Sequence, residues 1–179
     1  MKNLSILGST GSIGCNALKI IEMFPERFAV KALAARSNTA LLARQIERFG
    51  PEIAVVFDES CALKLKRMLP ATAGVEVMYG EDGYIAAAAC DSADMVLSAV
   101  VGAAGLMPAL AAIEAGKHLA LANKETLVMA GDIVVKMARA KGVQILPIDS
   151  EHSAMFQCIA GNRREDLDRI ILTASGGRD

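Results

Sequence analysis

Three glycines at equal spacing follow the first apolar run of the chain: Gly8, Gly11 and Gly14. Residues 4–7 before them are mostly apolar, and apolar residues recur at helical spacing after Gly14. A strand, a glycine turn and a helix start in this order form the context of a dinucleotide-binding loop, whose backbone N–H groups contact a pyrophosphate. The spacing differs from the standard Gly-x-Gly-x-x-Gly, so a tight turn without a ligand stays open as the alternative.

Other polar residues extend this possible cofactor site. The glycine loop also carries three hydroxyl side chains that could donate hydrogen bonds: Ser9, Thr10 and Ser12. Arg36 follows the second predicted strand, where an acid would serve NAD and an arginine favours the 2′-phosphate of NADP. Ser37 and Asn38 add polar donors beside it, although a solvated arginine next to a helix cap is the alternative.

A second polar stretch, Asn123-Lys124-Glu125, follows a later apolar run. Asn123 can cap the next helix, and Glu125 suits its first turn. Lys124 differs, because a cation at the start of a helix opposes the helix dipole. This unfavourable placement indicates an anionic ligand.

Two carboxylates follow the next predicted strand. If this edge stays extended, Asp149 and Glu151 project to the same side and begin an Mg²⁺ or Mn²⁺ site. The alternative is a pair of surface carboxylates, with Asp149 capping the next helix. We expect structural roles for His118 and His152. Ser175 lies in a small-residue turn that either holds a phosphate or is a plain turn.

These residues need elements to position them, and strand and helix patterns alternate along the whole chain. The strands are predicted at residues 4–7, 28–34, 53–57, 75–79, 95–101, 118–122, 143–148 and 168–173. The clearest helices are predicted at residues 39–49, 60–69, 85–89 and 126–140. This order predicts an α/β, Rossmann-like, doubly wound and mostly parallel sheet with helices on both faces. Ligands bind such sheets beyond the carboxyl ends of the strands.

Composition narrows the class of protein. Of the 179 residues, 53% are hydrophobic and only 4% aromatic, which is typical of aliphatic parallel α/β layers. A net charge of −1 gives no field for nucleic acid, and four scattered cysteines indicate neither zinc nor disulfides. We see no signal peptide and no apolar run long enough to span a bilayer. The sequence therefore predicts a cytoplasmic protein without nucleic-acid or membrane partners.

Five sequence blocks together resemble the 1-deoxy-D-xylulose 5-phosphate reductoisomerase family. They are GSTGSIG at 8–14, VGAAG at 101–105, ANKE at 122–125, PIDSEH at 147–152 and TASGG at 173–177. The resemblance implies an NADPH-dependent and metal-dependent enzyme of the non-mevalonate isoprenoid pathway. Such an enzyme converts 1-deoxy-D-xylulose 5-phosphate, a phosphorylated sugar, to 2-C-methyl-D-erythritol 4-phosphate.

The resemblance also implies roles for most of the residues named above. The cofactor would contact Thr10, Gly11, Ser12, Ile13, Arg36, Ser37, Asn38, Asn123 and Glu125. The substrate would contact Lys124, Ser150, Glu151 and Ser175. The divalent metal, Mg²⁺ or Mn²⁺, would be bound by Asp149 and Glu151, which with Lys124 form the catalytic set.

The domain organisation implied by the resemblance is an NADPH-binding domain over residues 1–179, with the metal-binding and substrate-binding region starting near residue 147. Family members continue further, with a tryptophan-containing flap, a third metal carboxylate and a C-terminal helical domain, and the full-length enzyme would be a homodimer. This sequence contains no tryptophan. The alternatives are a stand-alone NADP-binding module without catalysis and another NADP-linked enzyme, such as a semialdehyde or homoserine dehydrogenase.

Overall fold

Strands and helices alternate in the computed structural model, which describes residues 1–171 with the exception of two side chains, Glu151 and Arg164. The strands are β1 (Lys2–Leu7), β2 (Phe28–Ala34), β3 (Ile53–Val56), β4 (Glu76–Tyr79), β5 (Met95–Ser98), β6 (His118–Leu121) and β7 (Ile145–Pro147). The helices are α1 (Ser12–Met23), α2 (Thr39–Phe49), α3 (Glu59–Met68), α4 (Gly80–Ala88), α5 (Leu106–Glu114), α6 (Lys124–Lys141) and α7 (Ser150–Ile159).

The strands described in residues 1–171 form one seven-stranded parallel sheet in the order β4-β3-β2-β1-β5-β6-β7. The chain starts in the middle of the sheet at β1, winds outward to β4, and then returns to the other side of β1 with β5. Strand order therefore reverses between β1 and β5, and this is where doubly wound sheets bind ligands.

Two aliphatic layers cover the opposite faces of the sheet, because successive strand side chains alternate. In β1, Leu7 packs in the layer formed with α4, α5 and α6, whereas Ile6 packs in the layer formed with α1, α2 and α3. Both side chains are fully buried, and burying a leucine or isoleucine contributes about 1.5–3 kcal/mol. The predicted doubly wound α/β fold with helices on both faces is confirmed.

The boundaries of α2 show why some elements could be predicted from local sequence. The Asn38 side chain accepts a hydrogen bond from the Leu41 N–H and caps the start of this helix. Gly50 ends it in the left-handed conformation, with φ +56°, which glycine adopts without steric cost. Helix α2 spans the predicted residues 39–49.

Two local predictions are wrong, and the condition stated for a third segment is not met. The strand predicted at 95–101 ends at Ser98, because its pairing partners also end there: Leu7 of β1 and Leu121 of β6. The described part of the strand predicted at 168–173 has no strand pairing, and Ile171 is 75% exposed. The segment after β7 is helical from Ser150 onward rather than extended.

No helix within the described residues is long and apolar enough to cross a membrane.

Candidate functional site

The turn between β1 and α1 requires its first glycine for two reasons. Gly8 has φ +90°, and a Cβ atom at this position would lie 2.6 Å from the Ala99 carbonyl oxygen of the neighbouring chain segment. The N–H groups of Gly8 and Ser9 both donate to the Ala34 carbonyl, each at 2.8 Å. The loop is therefore held closely against the ends of β2 and β5.

The start of α1 has the features of an anion site. Its N-cap is Gly11, no side-chain hydrogen bond caps the helix, and the described first turn contains no acidic residue. The first N–H groups of a helix have no intrahelical partners, and the positive end of the helix dipole favours an anion. This is the position predicted for the cofactor pyrophosphate.

The prediction that Ser9 offers its hydroxyl to a ligand is wrong. Ser9 is fully buried, and its hydroxyl donates to Gln45 Oε1 of α2 at 2.8 Å. Gln45 Nε2 in turn donates to the Ser9 carbonyl oxygen at 2.9 Å. This reciprocal pair fastens the glycine loop to α2 and leaves Ser9 on its inner side.

A cavity of about 850 Å³ lies at the switch point between β1 and β5. This volume is within the usual range of small-molecule sites, roughly 300–1,000 Å³. Four predicted cofactor residues line it: Thr10, Gly11, Arg36 and Asn38. Its other walls come mainly from the segment after β5, with Val100, Val101, Ala103 and Ala104, and from Phe57 and Tyr84. The structure therefore brings the glycine loop (residues 8–14) and the arginine loop (residues 35–38) together in one site.

Several other predicted cofactor residues do not belong to the described lining of this cavity: Ser12, Ile13, Ser37, Asn123 and Glu125. Ser12 and Ser37 are exposed beside it. Asn38 lines the cavity and also caps α2, so a role as helix cap does not exclude a contact with a ligand. The cofactor contacts of these residues stay predictions.

Asn123 is buried and braces the cavity wall from behind. Its side-chain amide donates to the carbonyl oxygens of Val100 and Gly102, the latter at 2.9 Å. Its Oδ1 accepts from the Thr126 N–H at 3.3 Å and so caps α6, as predicted. Gly105 lies so close that a Cβ atom there would overlap with the Asn123 amide. One side chain thus connects the segment after β5 to the start of α6.

A second cavity, of about 270 Å³, lies at the carboxyl ends of β6 and β7. It is lined by two predicted catalytic residues, Lys124 and Asp149, together with His152 and mostly apolar neighbours. Lys124 is the first residue of α6 and is exposed. The structure therefore places a cation and a carboxylate, which are far apart in sequence, in one small site.

Asp149 is the N-cap of α7. Its Oδ1 accepts from the His152 N–H at 2.9 Å and lies 2.7 Å from His152 Nδ1. Burial disfavours the charged carboxylate, but the hydrogen bonds from His152 outweigh it and hold the pKa of Asp149 below its usual value. The condition that this edge stays extended is not met, because a helix begins at Ser150 with Asp149 as its N-cap, which was the stated alternative.

The metal role of Asp149 and Glu151 stays a prediction. Among the described side chains, no group of three or more His, Cys, Asp or Glu residues could hold a metal ion. The Glu151 side chain and the whole of Ser175 lie outside what the structure describes. His118 has the predicted structural role, since its Nδ1 accepts from the Gln144 N–H at 3.1 Å and joins β6 to the start of β7.

Sequence reasoning missed two aromatic residues that line the larger cavity, Phe57 and Tyr84. Phe57 directly follows β3, so its place after a strand end was a usable signal. Tyr84 lies within α4, where nothing in the local sequence marks it. Its hydroxyl donates to the Ala35 carbonyl at 2.9 Å, and burial raises the pKa of Tyr84 to about 12.

Comparison with known proteins identifies the family. The family model described as 1-deoxy-D-xylulose 5-phosphate reductoisomerase matches residues 4–131, which contain the glycine loop, the arginine loop and the start of α6. The chain belongs to the 1-deoxy-D-xylulose 5-phosphate reductoisomerase family. A second model, described as the C-terminal domain of this enzyme, matches residues 145–178. Membership excludes the alternative of a semialdehyde or homoserine dehydrogenase.

Individual relatives agree with this family. The 1-deoxy-D-xylulose 5-phosphate reductoisomerase of Desulfosudis oleivorans is 57% identical over 177 residues, which are 99% of this chain and 46% of the relative. The solved structure of the Zymomonas mobilis enzyme in complex with NADPH is 42% identical, with a TM-score of 0.86, over 92% of this chain and 43% of that one. A reductoisomerase solved with NADPH, fosmidomycin and magnesium has a TM-score of 0.85 and 41% identity, over 90% and 40% respectively. The chain thus spans about half the length of its relatives.

We predict that Gly11→Val abolishes NADPH binding without unfolding the domain. Gly11 is exposed, its φ of −79° suits valine, and a Cβ atom there would meet Gly8 O at an ordinary 3.4 Å. The branched side chain would nevertheless occupy the entrance to the helix N-terminus. Fluorescence titration with NADPH and circular dichroism test this.

Gly14→Ala is the control for the preceding prediction. A Cβ atom at Gly14 would overlap with the backbone of Gly8 and Ser9, so this variant should lose thermal stability. Wild-type NADPH affinity in a folded Gly11→Val variant would show that the loop is only a turn.

We predict that Asn123→Asp destabilises the segment after β5 and weakens NADPH binding. The carboxylate still caps α6 but cannot donate to the Val100 and Gly102 carbonyls, and lost partners of partly buried groups cost about 1–3 kcal/mol. Urea unfolding and amide hydrogen exchange of residues 100–105 measure the effect. Unchanged exchange in that segment would contradict the bracing role.

We predict that Asp149→Ala and Asp149→Asn separate capping from charge. Alanine removes the cap of α7, at a cost of about 0.5–2 kcal/mol, whereas asparagine caps as well as aspartate. Amide hydrogen exchange in α7 at pH 7 should therefore accelerate in the alanine variant far more than in the asparagine variant.

The pH dependence follows from the lowered pKa of Asp149. The stabilisation is fully present above the usual aspartate pKa, near 4, and is lost as pH falls through the lower folded value.

Equal acceleration of exchange in Asp149→Ala and Asp149→Asn at pH 7 would show that charge, and not capping, holds α7.

Proposed function

We propose that this chain is the NADPH-binding part of an enzyme that converts 1-deoxy-D-xylulose 5-phosphate to 2-C-methyl-D-erythritol 4-phosphate in non-mevalonate isoprenoid biosynthesis. The observation that carries the proposal is the larger cavity, in which the glycine loop before the uncapped start of α1 meets Arg36. A pyrophosphate at the helix and a 2′-phosphate at the arginine are the two anionic features of NADPH. Solved members of the family hold NADPH, which supports the proposal.

The residues of the chain fit this cofactor. Gly8 lets the backbone approach closely, and the helix start supplies N–H groups for the pyrophosphate. Thr10, Gly11, Ser12 and Ile13 would bind at this end, and Arg36, Ser37 and Asn38 at the 2′-phosphate end. NADPH supplies a hydride when bound. The wall after β5 would keep water from the reactive part of the cofactor.

The residues proposed to contact the substrate begin at Lys124, directly after Asn123. Asn123 holds the wall, and Lys124 lines the second cavity. The cofactor and an anionic substrate would therefore meet at the carboxyl ends of β5 and β6. Lys124 would attract the phosphorylated sugar and orient its oxygens, with Ser150, Glu151 and Ser175 as further substrate contacts. Glu125 would line the cofactor side of this junction.

We propose Asp149 and Glu151 as two ligands of a divalent metal, Mg²⁺ or Mn²⁺, which would neutralise negative charge on the substrate oxygens. The described donor set does not fit a complete site, because it offers Asp149 without the several oxygen ligands that such an ion needs. The resemblance to the family implies that a third carboxylate completes the metal site.

The domain proposal follows from the two cavities. Residues 1–179 would form the Rossmann-like NADPH-binding domain, with the metal-binding and substrate-binding region beginning near residue 147. The second family model begins its match at residue 145, which supports this division. We propose further that the whole enzyme is a homodimer, binds neither nucleic acid nor membranes, and works in the cytoplasm. The four free cysteines suit a reducing compartment.

We predict that the 179-residue chain binds NADPH but shows no turnover at any Mg²⁺ or Mn²⁺ concentration. An effective metal needs a closed and dry site, whereas Lys124 and His152 of the second cavity are exposed and the described donor set is incomplete. The measurement is NADPH oxidation at the cofactor absorbance band with 1-deoxy-D-xylulose 5-phosphate, on this chain and on one extended to full family length.

The control is Glu151→Ala in the extended chain. Substrate-dependent oxidation by the short chain would show that the essential chemistry lies in residues 1–179. Activity of the extended chain that survives Glu151→Ala would remove the metal role proposed for that residue. An extended chain that also binds NADPH without turnover would instead support the remaining alternative, a stand-alone binding module without catalysis.

A further inference from the structure

An aromatic ring stands exposed at the edge of the larger cavity. Phe57 directly follows β3, lines the cavity and is 55% exposed, although a phenylalanine at the end of a buried strand has apolar surface to cover. The Arg36 guanidinium lies over this ring, with Cζ 5.4 Å from the ring centroid. A guanidinium within about 6 Å of an aromatic centroid is attracted by the negative face of the ring. Phe57 therefore has a partner, and the partner is the residue expected to bind the 2′-phosphate.

The backbone that carries Arg36 is fixed on two sides. The Phe57 N–H donates to the Arg36 carbonyl at 2.9 Å, so the residue that supplies the ring also anchors the arginine main chain. The hydroxyl of Tyr84, which also lines the cavity, donates to the Ala35 carbonyl at 2.9 Å. These bonds hold the main chain of the arginine loop and leave the long Arg36 side chain to be ordered by other contacts.

The ring is the main such contact on the described surface. Among the described side chains, no carboxylate forms an ion pair with Arg36, although Glu81 also lines the cavity. The guanidinium thus keeps its charge uncompensated while its plane is supported. A side chain that is ordered before the ligand arrives loses less entropy on binding, which strengthens the contact with the ligand.

We propose that Phe57 is a specificity-determining residue, whose ring holds the Arg36 guanidinium where it binds the 2′-phosphate of NADPH. This inference rests on the proposed function. NADH carries a hydroxyl in place of that phosphate, so ordering of Arg36 benefits NADPH and leaves NADH nearly unaffected. Phe57 acts through Arg36 and is therefore a positioning residue. A ring that only stacked on the adenine would serve both cofactors equally.

The test measures the dissociation constants of 2′,5′-ADP and 5′-AMP, which differ only in the 2′-phosphate, for wild type and Phe57→Leu. An exposed cation–aromatic contact corresponds to roughly a two- to fivefold change in affinity. We expect Phe57→Leu to weaken 2′,5′-ADP binding by about this factor and to leave 5′-AMP binding nearly unchanged. NADPH and NADH should show the same selective loss in a parallel titration.

Two variants provide the controls. Phe57→Tyr keeps the ring and should retain the wild-type ratio of the two affinities. In an Arg36→Ala background, Phe57→Leu should no longer change the ratio, because the guanidinium that the ring supports is gone. Circular dichroism checks the fold, which an exposed position such as Phe57 leaves intact.

The outcomes separate the inference from the proposed function. Two results would overturn the role of Phe57 alone. One is an unchanged ratio of the 2′,5′-ADP and 5′-AMP affinities in Phe57→Leu, whether both affinities fall equally or neither changes. The other is a selective loss of 2′,5′-ADP affinity that persists without Arg36. A wild-type chain that binds neither NADPH nor NADH would overturn the proposed function and the inference with it.

Discussion

The close backbone approach at the β1–α1 turn is the constraint on which the rest of the site depends. Gly8 lies against the Ala99 carbonyl, and Gly14 lies against the backbone of Gly8 and Ser9, with no room for a Cβ atom at either position. These contacts bring the start of α1 to the switch point of the sheet. Because glycine has no side chain, backbone N–H groups would define the proposed anion-binding end of the cavity.

Polar side chains, two of them buried and one half-buried, then hold the loops around the cavity. Gln45 fastens the glycine loop, Tyr84 fastens the arginine loop, and Asn123 fastens the segment after β5. In each case a side chain donates to a main-chain carbonyl of the loop, which satisfies a group that the end of a strand leaves unpaired. The loops can thus be rigid without regular structure, and their outer surfaces remain available to a ligand.

The two cavities differ in completeness. The larger one has a helix start without a side-chain cap, an arginine and walls from three loops, which are the features that the proposed dinucleotide site requires. The smaller one brings Lys124 and Asp149 together, but its described donors do not complete a metal site. The chain spans about half the length of its relatives, and under the proposed function it would contribute the cofactor site and part of the substrate site.

The amino-acid sequence by itself determined the order of elements, the parallel doubly wound sheet and the helix α2, because hydrophobic periodicity, Asn38 and Gly50 are local signals. It also marked Arg36 and the glycine loop, which follow strand ends. The tertiary structure decided which polar groups face the cavity. It turned Ser9 inward to Gln45, which lies 36 residues away in sequence.

Long-range contacts also decided the remaining features. Strand β5 ends at Ser98 because its neighbours end there, and Phe57 stands beside Arg36 because β2 and β3 are adjacent in the sheet. The helix after Asp149 is capped by that side chain, and the local sequence alone does not decide between this cap and an extended edge. Periodicity reports which side of an element is buried, whereas the partner of a buried polar group depends on elements distant in sequence, and only the folded chain brings these together.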